Sequence, residues 1–305
     1  MTQRAGLGCT KHCSGGILDL ADSGTRRIYG PPVSTPRYDA TAVAAALGVP
    51  SVEFLGAGAF GDTWRAGDRA VKIICVDGYP PERVAREVAG LARVSSPHVV
   101  RLLEAGGVTL GGRVRPALSF EYVAGGDLQA QIDAGRRPDA DEAEGLLRGL
   151  LAGVRDLHAA DGTVHRDIKP PNVALRGGAW DQPVLLDLGL ARSATEPTVT
   201  LYPSLVGTTA YMAPEQLMQQ RARKAADLFA VGVTVRALLC GRHPFYDQGV
   251  DYTIDQALQQ IQAGPTSLPS GLPSVVTTVL DLLVSYPQHE RGSATSNLRR
   301  LERSA

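Results

Sequence analysis

The 305-residue chain has no net charge: 31 Lys and Arg balance 31 Asp and Glu. No overall field therefore draws it to nucleic acid or to an anionic membrane, and any anion it binds must be gripped locally. A run of eighteen apolar residues is also missing, and the polar start MTQRAGLGCTKHC has no apolar core of the signal-peptide kind. The expectation is a cytoplasmic protein that engages no membrane. Nor is there a disulfide framework. Cys75 and Cys240 lie in apolar stretches that read as core, while Cys9 and Cys13 flank His12 in a polar one, with no second pair to complete a zinc site. No fixed-period repeat stands out.

A 44% hydrophobic content is enough for a sizeable core. Residues 1–50 are rich in Gly, Pro, Ser and Thr, with one helix-like patch at DATAVAAALG. They read as a leader, in part disordered, ahead of a domain over 51–305. From Val52 short β-branched runs follow one another: SVEFLG, DTWR, AVKIIC, HVVRLLEAG and PALSFEYV. One helix interrupts them, PPERVAREVAGLARV, with prolines at its entry and Val84, Val88 and Leu91 on one stripe. After Tyr122 the pattern is mostly helical, at Leu146–Leu157 and again at Leu228–Leu239. A β-rich half over about 51–121 and a helical half over about 122–305 predict an α+β protein of two lobes with a cleft between them.

Three stretches carry chemistry. Gly56, Gly58 and Gly61 in LGAGAFGDTW form G-x-G-x-x-G between two candidate strands. With 34 glycines in the chain, chance alone supplies about 0.4 such matches, so the spacing by itself means little. Its place just before AVK matters more, because a glycine hairpin there can lay backbone N–H groups over a phosphate chain. HRDIKPPN, residues 165–172, sets five fixed residue types in one loop at odds on the order of one in ten thousand, which a helix-capping loop does not explain. In VLLDLGLA one carboxylate, Asp187, leaves an apolar strand, where it is costly unless paired or bound to a cation. With Asn172 it offers hard oxygen ligands suited to Mg2+.

The series GAGAFG, AVK, HRDIKPPN, DLG and GTTAYMAPE, in this order, resembles the eukaryotic-type serine/threonine protein kinases over about residues 52–305. The resemblance implies a bilobal kinase fold, ATP as phosphoryl donor, Mg2+ or alternatively Mn2+ as the metal, and protein substrates with Ser or Thr acceptors. It leaves the oligomeric state open. It further implies that Lys72 holds the α- and β-phosphates and pairs with Glu87, preferred over Glu82 because an acid in the first helical turn is explained by the helix dipole. Asp167 would orient the acceptor hydroxyl and take its proton, Lys169 would steady the transferring group, and Asn172 and Asp187 would hold the metal. Thr208 would bridge Asp167 and Lys169.

By the same resemblance Gly56, Ala57, Gly58, Ala59, Phe60, Gly61, Thr63, Ala70 and Ala174 would line the nucleotide site. The backbone of Glu121 and Val123 would meet adenine, with Phe120 behind it and Asp127 near the ribose. Arg166, Glu215, Asp227 and Arg291 would be structural, Glu215 pairing with Arg291 in a buried bridge. Thr198 and Thr200 would be activation-loop phosphorylation sites read by Arg166. His98 and His243 are expected to pack or cap. Thr63 stands where the family usually has valine, and Leu188 where it has phenylalanine; neither change removes a catalytic group. Two other readings compete: a nucleotide-binding pseudokinase, weakened because every catalytic position is filled, and a small-molecule phosphotransferase of related fold, weakened by Lys169 and the GTTAYMAPE segment.

Overall fold

The β-branched runs pair as their alternation requires. In the computed structural model, which describes residues 35–303 apart from 59, 161–162 and 188–208, they form β1 (Glu53–Ala57), β2 (Gly61–Ala66), β3 (Arg69–Ile74), β4 (Leu102–Leu110) and β5 (Arg113–Glu121). These make one antiparallel sheet in the order β1-β2-β3-β5-β4. Lys72 pairs with Thr63 on one side and Leu118 on the other, so it sits in the middle of the sheet. The period of two sends Trp64, Val71, Ile73 and Ala117 to the outer face, and Lys72, Leu118 and Phe120 to the inner one.

The outer face is covered by α1 (Ala40–Leu47), capped by the Asp39 carboxylate and closed by Gly48 in the left-handed region at φ 66°. Val43 is fully buried there among Trp64, Val71 and Ile73, with Tyr38, Ala46 and Leu47 packed alongside. The DATAVAAALG patch, set in the leader on sequence grounds, is thus the lid of the sheet's outer layer. The inner face meets α2 (Pro81–Leu91), whose Val84, Val88 and Leu91 join the large core below.

That core is helical: α3 (Leu128–Asp133), α4 (Ala140–Ala159), α5 (Pro214–Leu217), α6 (Lys224–Cys240), α7 (Ile254–Ala263), α8 (Ser274–Leu283) and α9 (Ala294–Glu302). Asp139 and Glu142 close a reciprocal capping box on α4. Of the 17 residues of α6, 14 are buried, so it is wrapped on all sides and even Asp227 and Arg236 lie inside. A short antiparallel pair, β6 (Val173–Leu175) and β7 (Pro183–Leu185), lies between the lobes. Leu185 exchanges backbone hydrogen bonds with His98 and Val100 at 2.9 and 3.0 Å, which hangs the end of β7 from the chain entering β4. Helix α4 approaches so closely that a Cβ at Gly153 would meet the His98 carbonyl at 2.8 Å. The expected α+β, two-lobed arrangement is the one observed. No helix among the described residues is long and apolar enough to cross a membrane.

Candidate active site

The loop His165–Asn172 joins α4 to β6, and its shape is set from beneath. Asp227, in the first turn of α6 and 1% exposed, accepts the backbone N–H of His165 (2.9 Å), the backbone N–H of Arg166 (2.8 Å) and a bond from His158 Nε2 (2.8 Å). Burial alone would raise its carboxyl, yet these donors hold it below the ordinary carboxylate value. They also hold Arg166 at φ 70°, a left-handed conformation that costs a non-glycine residue about 1–3 kcal/mol unless its surroundings impose it.

His165, fully buried, donates from Nε2 to the Leu186 carbonyl at 2.9 Å, and its Nδ1 faces the Asp167 amide at 3.3 Å. The Leu186 amide in turn donates to the Asn172 carbonyl at 2.8 Å. These bonds bring the loop and the residue after Leu186 together, so that Asp167, Lys169, Asn172 and Asp187 share one place.

Within it, Asp167 Oδ2 accepts from Asn172 Nδ2 at 2.8 Å and meets Lys169 Nζ at 3.0 Å. Asn172 Nδ2 also donates to the Asp167 carbonyl at 2.8 Å. Its amide nitrogen is therefore committed to the loop. Asp167 Oδ1 is buried and has no hydrogen-bond partner among the described residues. Burial, countered by Lys169 and reinforced by Asp187, pushes the Asp167 carboxyl above its ordinary value. Asp187, at φ 54°, is bound through Oδ1 to Lys72 Nζ, which reaches across from β3. Desolvation opposes ionisation of Asp187, but the Lys72 ammonium wins and holds its carboxyl below the ordinary value.

Above the site, Gly58 N–H donates to Gly61 O at 2.8 Å and closes the β1–β2 hairpin. A Cβ at Gly61 would lie 1.9 Å from the Ile73 carbonyl, so only glycine fits where the hairpin crosses β3. Phe60 packs edge-on against Tyr79 with ring centroids 5.7 Å apart. Where the lobes join, Glu121 forms an ion pair with Arg176 at 3.1 Å and accepts the Arg101 amide at 3.2 Å. Burial opposes these donors, which nevertheless hold its carboxyl below the ordinary value. Asp127 caps α3 through the Ala130 amide at 2.8 Å, and burial pushes its carboxyl up. Ala174 forms an isolated bridge with Asp127. Ala70 and Phe120 pair across β3 and β5, on the same face as Lys72.

Arg291 and Glu215 meet in the helical core in a two-pronged contact of 2.8 and 3.1 Å, both at most 1% exposed. His98 donates from Nδ1 to the Pro183 carbonyl at 2.9 Å. His243 Nδ1 accepts the amides of Phe245 and Tyr246, both at 3.2 Å, while its ring stacks on Tyr246. Ala59, Leu188, Thr198, Thr200, Thr208, Cys9, His12 and Cys13 lie outside the described residues, as does the side chain of Glu87.

Three contributors carry no local sequence signal of their own. His158 closes the last turn of α4 and reads as a helix-end cation; only its pairing with Asp227, 69 residues on, gives it a part in the loop. Arg176 and Arg37 are similar, each meeting a partner brought near by the fold.

The family model for the protein kinase domain matches residues 50–300. The serine/threonine-protein kinase PkaA of Streptomyces coelicolor is 32% identical over 82% of this chain and 48% of its own length. A probable serine/threonine-protein kinase of Thermomonospora curvata, PkwA, is 30% identical over 72% of this chain and 29% of its own. The rice serine/threonine-protein kinase SAPK3 is 33% identical over 70% of this chain and 64% of its own. The chain thus spans about half or less of the length of the two bacterial relatives. With four-fifths of its residues matched and the site assembled on a five-stranded sheet above a helical lobe, this chain belongs to the protein kinase family.

Proposed function

We propose that the protein is an ATP-dependent serine/threonine protein kinase, passing the γ-phosphoryl group to Ser and Thr hydroxyls of protein substrates and to its own activation loop. The observation that carries this reading is the buried Oδ1 of Asp167, an acceptor with no hydrogen-bond partner among the described residues while Oδ2 is held by Asn172 and Lys169. A buried acceptor left open costs about 1–3 kcal/mol, and a substrate hydroxyl would satisfy it. Asp167 would orient that hydroxyl and accept its proton, a transfer favoured by the raised basicity of its carboxyl. Lys169, already beside Asp167, would face the charge on the transferring phosphoryl group.

The donor set fits a hard cation. Asn172 has its amide nitrogen tied to Asp167, which turns its carbonyl oxygen the other way, and Asp187 supplies an ionised carboxylate. Both would hold Mg2+, or Mn2+ in its place, and the remaining positions would fall to phosphate oxygens and water. The metal would neutralise charge on the β- and γ-phosphates. Lys72 would leave Asp187 for the α- and β-phosphates when nucleotide enters, with Glu87 as its partner on α2. The glycine hairpin would cover the phosphates, and Glu121 and Val123 would present backbone to adenine. Phosphate on Thr198 or Thr200 would add charge-assisted bonds with Arg166 and order the loop. The balanced charge gives no reason to invoke nucleic acid, and we place the activity in the cytoplasm, where ATP is available. Incubation with γ-labelled ATP and Mg2+ tests the reading: label should enter protein with the wild type and not with Asp167→Asn. Absence of transfer by the wild type to itself or to a Ser/Thr-containing protein would refute it.

A further inference from the structure

The segment just before α1 is bound to the glycine hairpin by a group the nucleotide site does not account for. Asp62, the residue after Gly61, is fully buried on the outer face of β2. Its carboxylate is met twice by Arg37, through the Arg37 backbone N–H to Oδ2 at 2.6 Å and through the guanidinium to Oδ1. The other arm of the same guanidinium donates to the Gly58 carbonyl at 2.8 Å. One side chain thus neutralises the buried carboxylate of the hairpin and fixes the carbonyl of its middle glycine. Arg37 is itself anchored. Tyr38 packs into the outer layer and its hydroxyl bonds to Arg115, and Asp39 caps α1, whose Val43 is fully buried.

We infer that Arg37 is a positioning residue for nucleotide binding, holding the glycine hairpin in shape and screening the phosphate chain from the Asp62 carboxylate. This rests on the kinase reading, because the ligand must carry a phosphate chain over the hairpin. The effect of Arg37 is electrostatic as well as geometric. Without Arg37 the hairpin keeps a buried negative charge four residues from Gly58, and the released Gly58 carbonyl is free to turn its oxygen toward the phosphates. Both changes oppose a polyphosphate, and neither opposes an uncharged nucleoside. An Arg37 that merely fastened α1 to the sheet would affect both ligands alike.

Equilibrium binding of ATP, ADP and adenosine to the full-length wild type, Arg37→Ala, Arg37→Lys and the double variant Arg37→Ala/Asp62→Asn separates the two. We expect Arg37→Ala to weaken ATP about five- to tenfold, ADP less, and adenosine less than about twofold. Arg37→Lys should fall between wild type and Arg37→Ala. The double variant leaves no charge unscreened, though the Gly58 carbonyl stays unheld, and should recover part of the ATP affinity. Equal weakening of ATP and adenosine, ATP binding within about twofold of wild type in Arg37→Ala, or no recovery in the double variant would each overturn the role. Should Arg37→Ala fail to fold, the ATP-to-adenosine ratio of Arg37→Lys carries the same decision. A wild type that binds adenosine and ATP equally weakly would instead refute the kinase reading on which the role depends.

Discussion

Replacing Arg291 by alanine should be among the most damaging single changes outside the site. Arg291 has no exposed surface, and each of its five N–H donors is used: Nε to the Ser285 carbonyl (2.8 Å), and the two amino groups to Glu215 (2.8 and 3.1 Å), the Ala225 carbonyl (3.2 Å) and the Tyr286 carbonyl (3.0 Å). The guanidinium also lies over the Phe229 ring at 4.9 Å. Alanine leaves the Glu215 carboxylate buried without a counter-charge, which costs about 3–5 kcal/mol. At about 2–4 °C per kcal/mol for a domain of this size, the melting temperature should fall by roughly 10 °C.

Arg291→Lys keeps the charge but brings three donors to five acceptors, so it should recover only part of the loss. A double change of Arg291→Met with Glu215→Leu strands no charge and should be more stable than Arg291→Ala alone. Thermal melts followed by far-ultraviolet circular dichroism measure all four proteins. If Arg291→Ala melts within about 2 °C of wild type, or if the double change is no better than Arg291→Ala, the cost does not come from a stranded charge and the reasoning fails.

Asp167→Asn and Asp187→Asn should each lower kcat at least about a thousandfold, or ~4 kcal/mol in the barrier, with melting temperatures little changed; a kcat within tenfold of wild type for Asp187→Asn would remove it from the metal site. Burial holds His243 neutral in the fold down to about pH 3, partly countered by its bond to Ala210, while in the unfolded chain it takes up a proton near pH 6.5. Acid therefore favours the unfolded chain, and stability should fall by about 2 kcal/mol between pH 7 and pH 5 from this residue alone. Urea titrations at the two pH values should show that loss reduced by a similar amount in His243→Asn, whose Oδ1 can still accept the Phe245 and Tyr246 amides. Changing Thr198 and Thr200 together to alanine should slow phosphorylation of other proteins, and mass spectrometry of fully active wild type should find phosphate on one of them; an unphosphorylated active enzyme would contradict this.

The parts of the molecule that read directly from sequence are those whose determinants are local. Alternation in DTWR and AVKII marks β2 and β3, and the leucines at helical spacing between Leu146 and Leu157 mark α4. The loop His165–Asn172 is legible because its polar types sit side by side, and the geometry adds how Asp167, Lys169 and Asn172 divide their atoms. The pair Glu215 and Arg291, 76 residues apart, is visible only through family resemblance. Arg37 and Asp62 have neither aid: they are 25 residues apart, and Pro31, Pro32 and Pro36 make the segment ahead of Arg37 look like a tail. The alternation of β2 puts Asp62 on the face of Trp64, but a carboxylate there is unfavourable until its cation arrives from another element, and the sequence does not show that cation. For the same reason DATAVAAALG reads as an isolated patch, although its apolar stripe has a sheet to cover.

The attachment of the loop to Asp227 also bears on how the protein comes apart. The amide protons of His165 and Arg166 point into a carboxylate carried by the most deeply wrapped helix, so their exchange with solvent should track the stability of the helical lobe. The loop His165–Asn172 is therefore expected to unfold together with the helical lobe. The glycine hairpin, clasped from the outer edge by an arginine whose side chain is 34% exposed, should by contrast open at lower cost than the lobe beneath it.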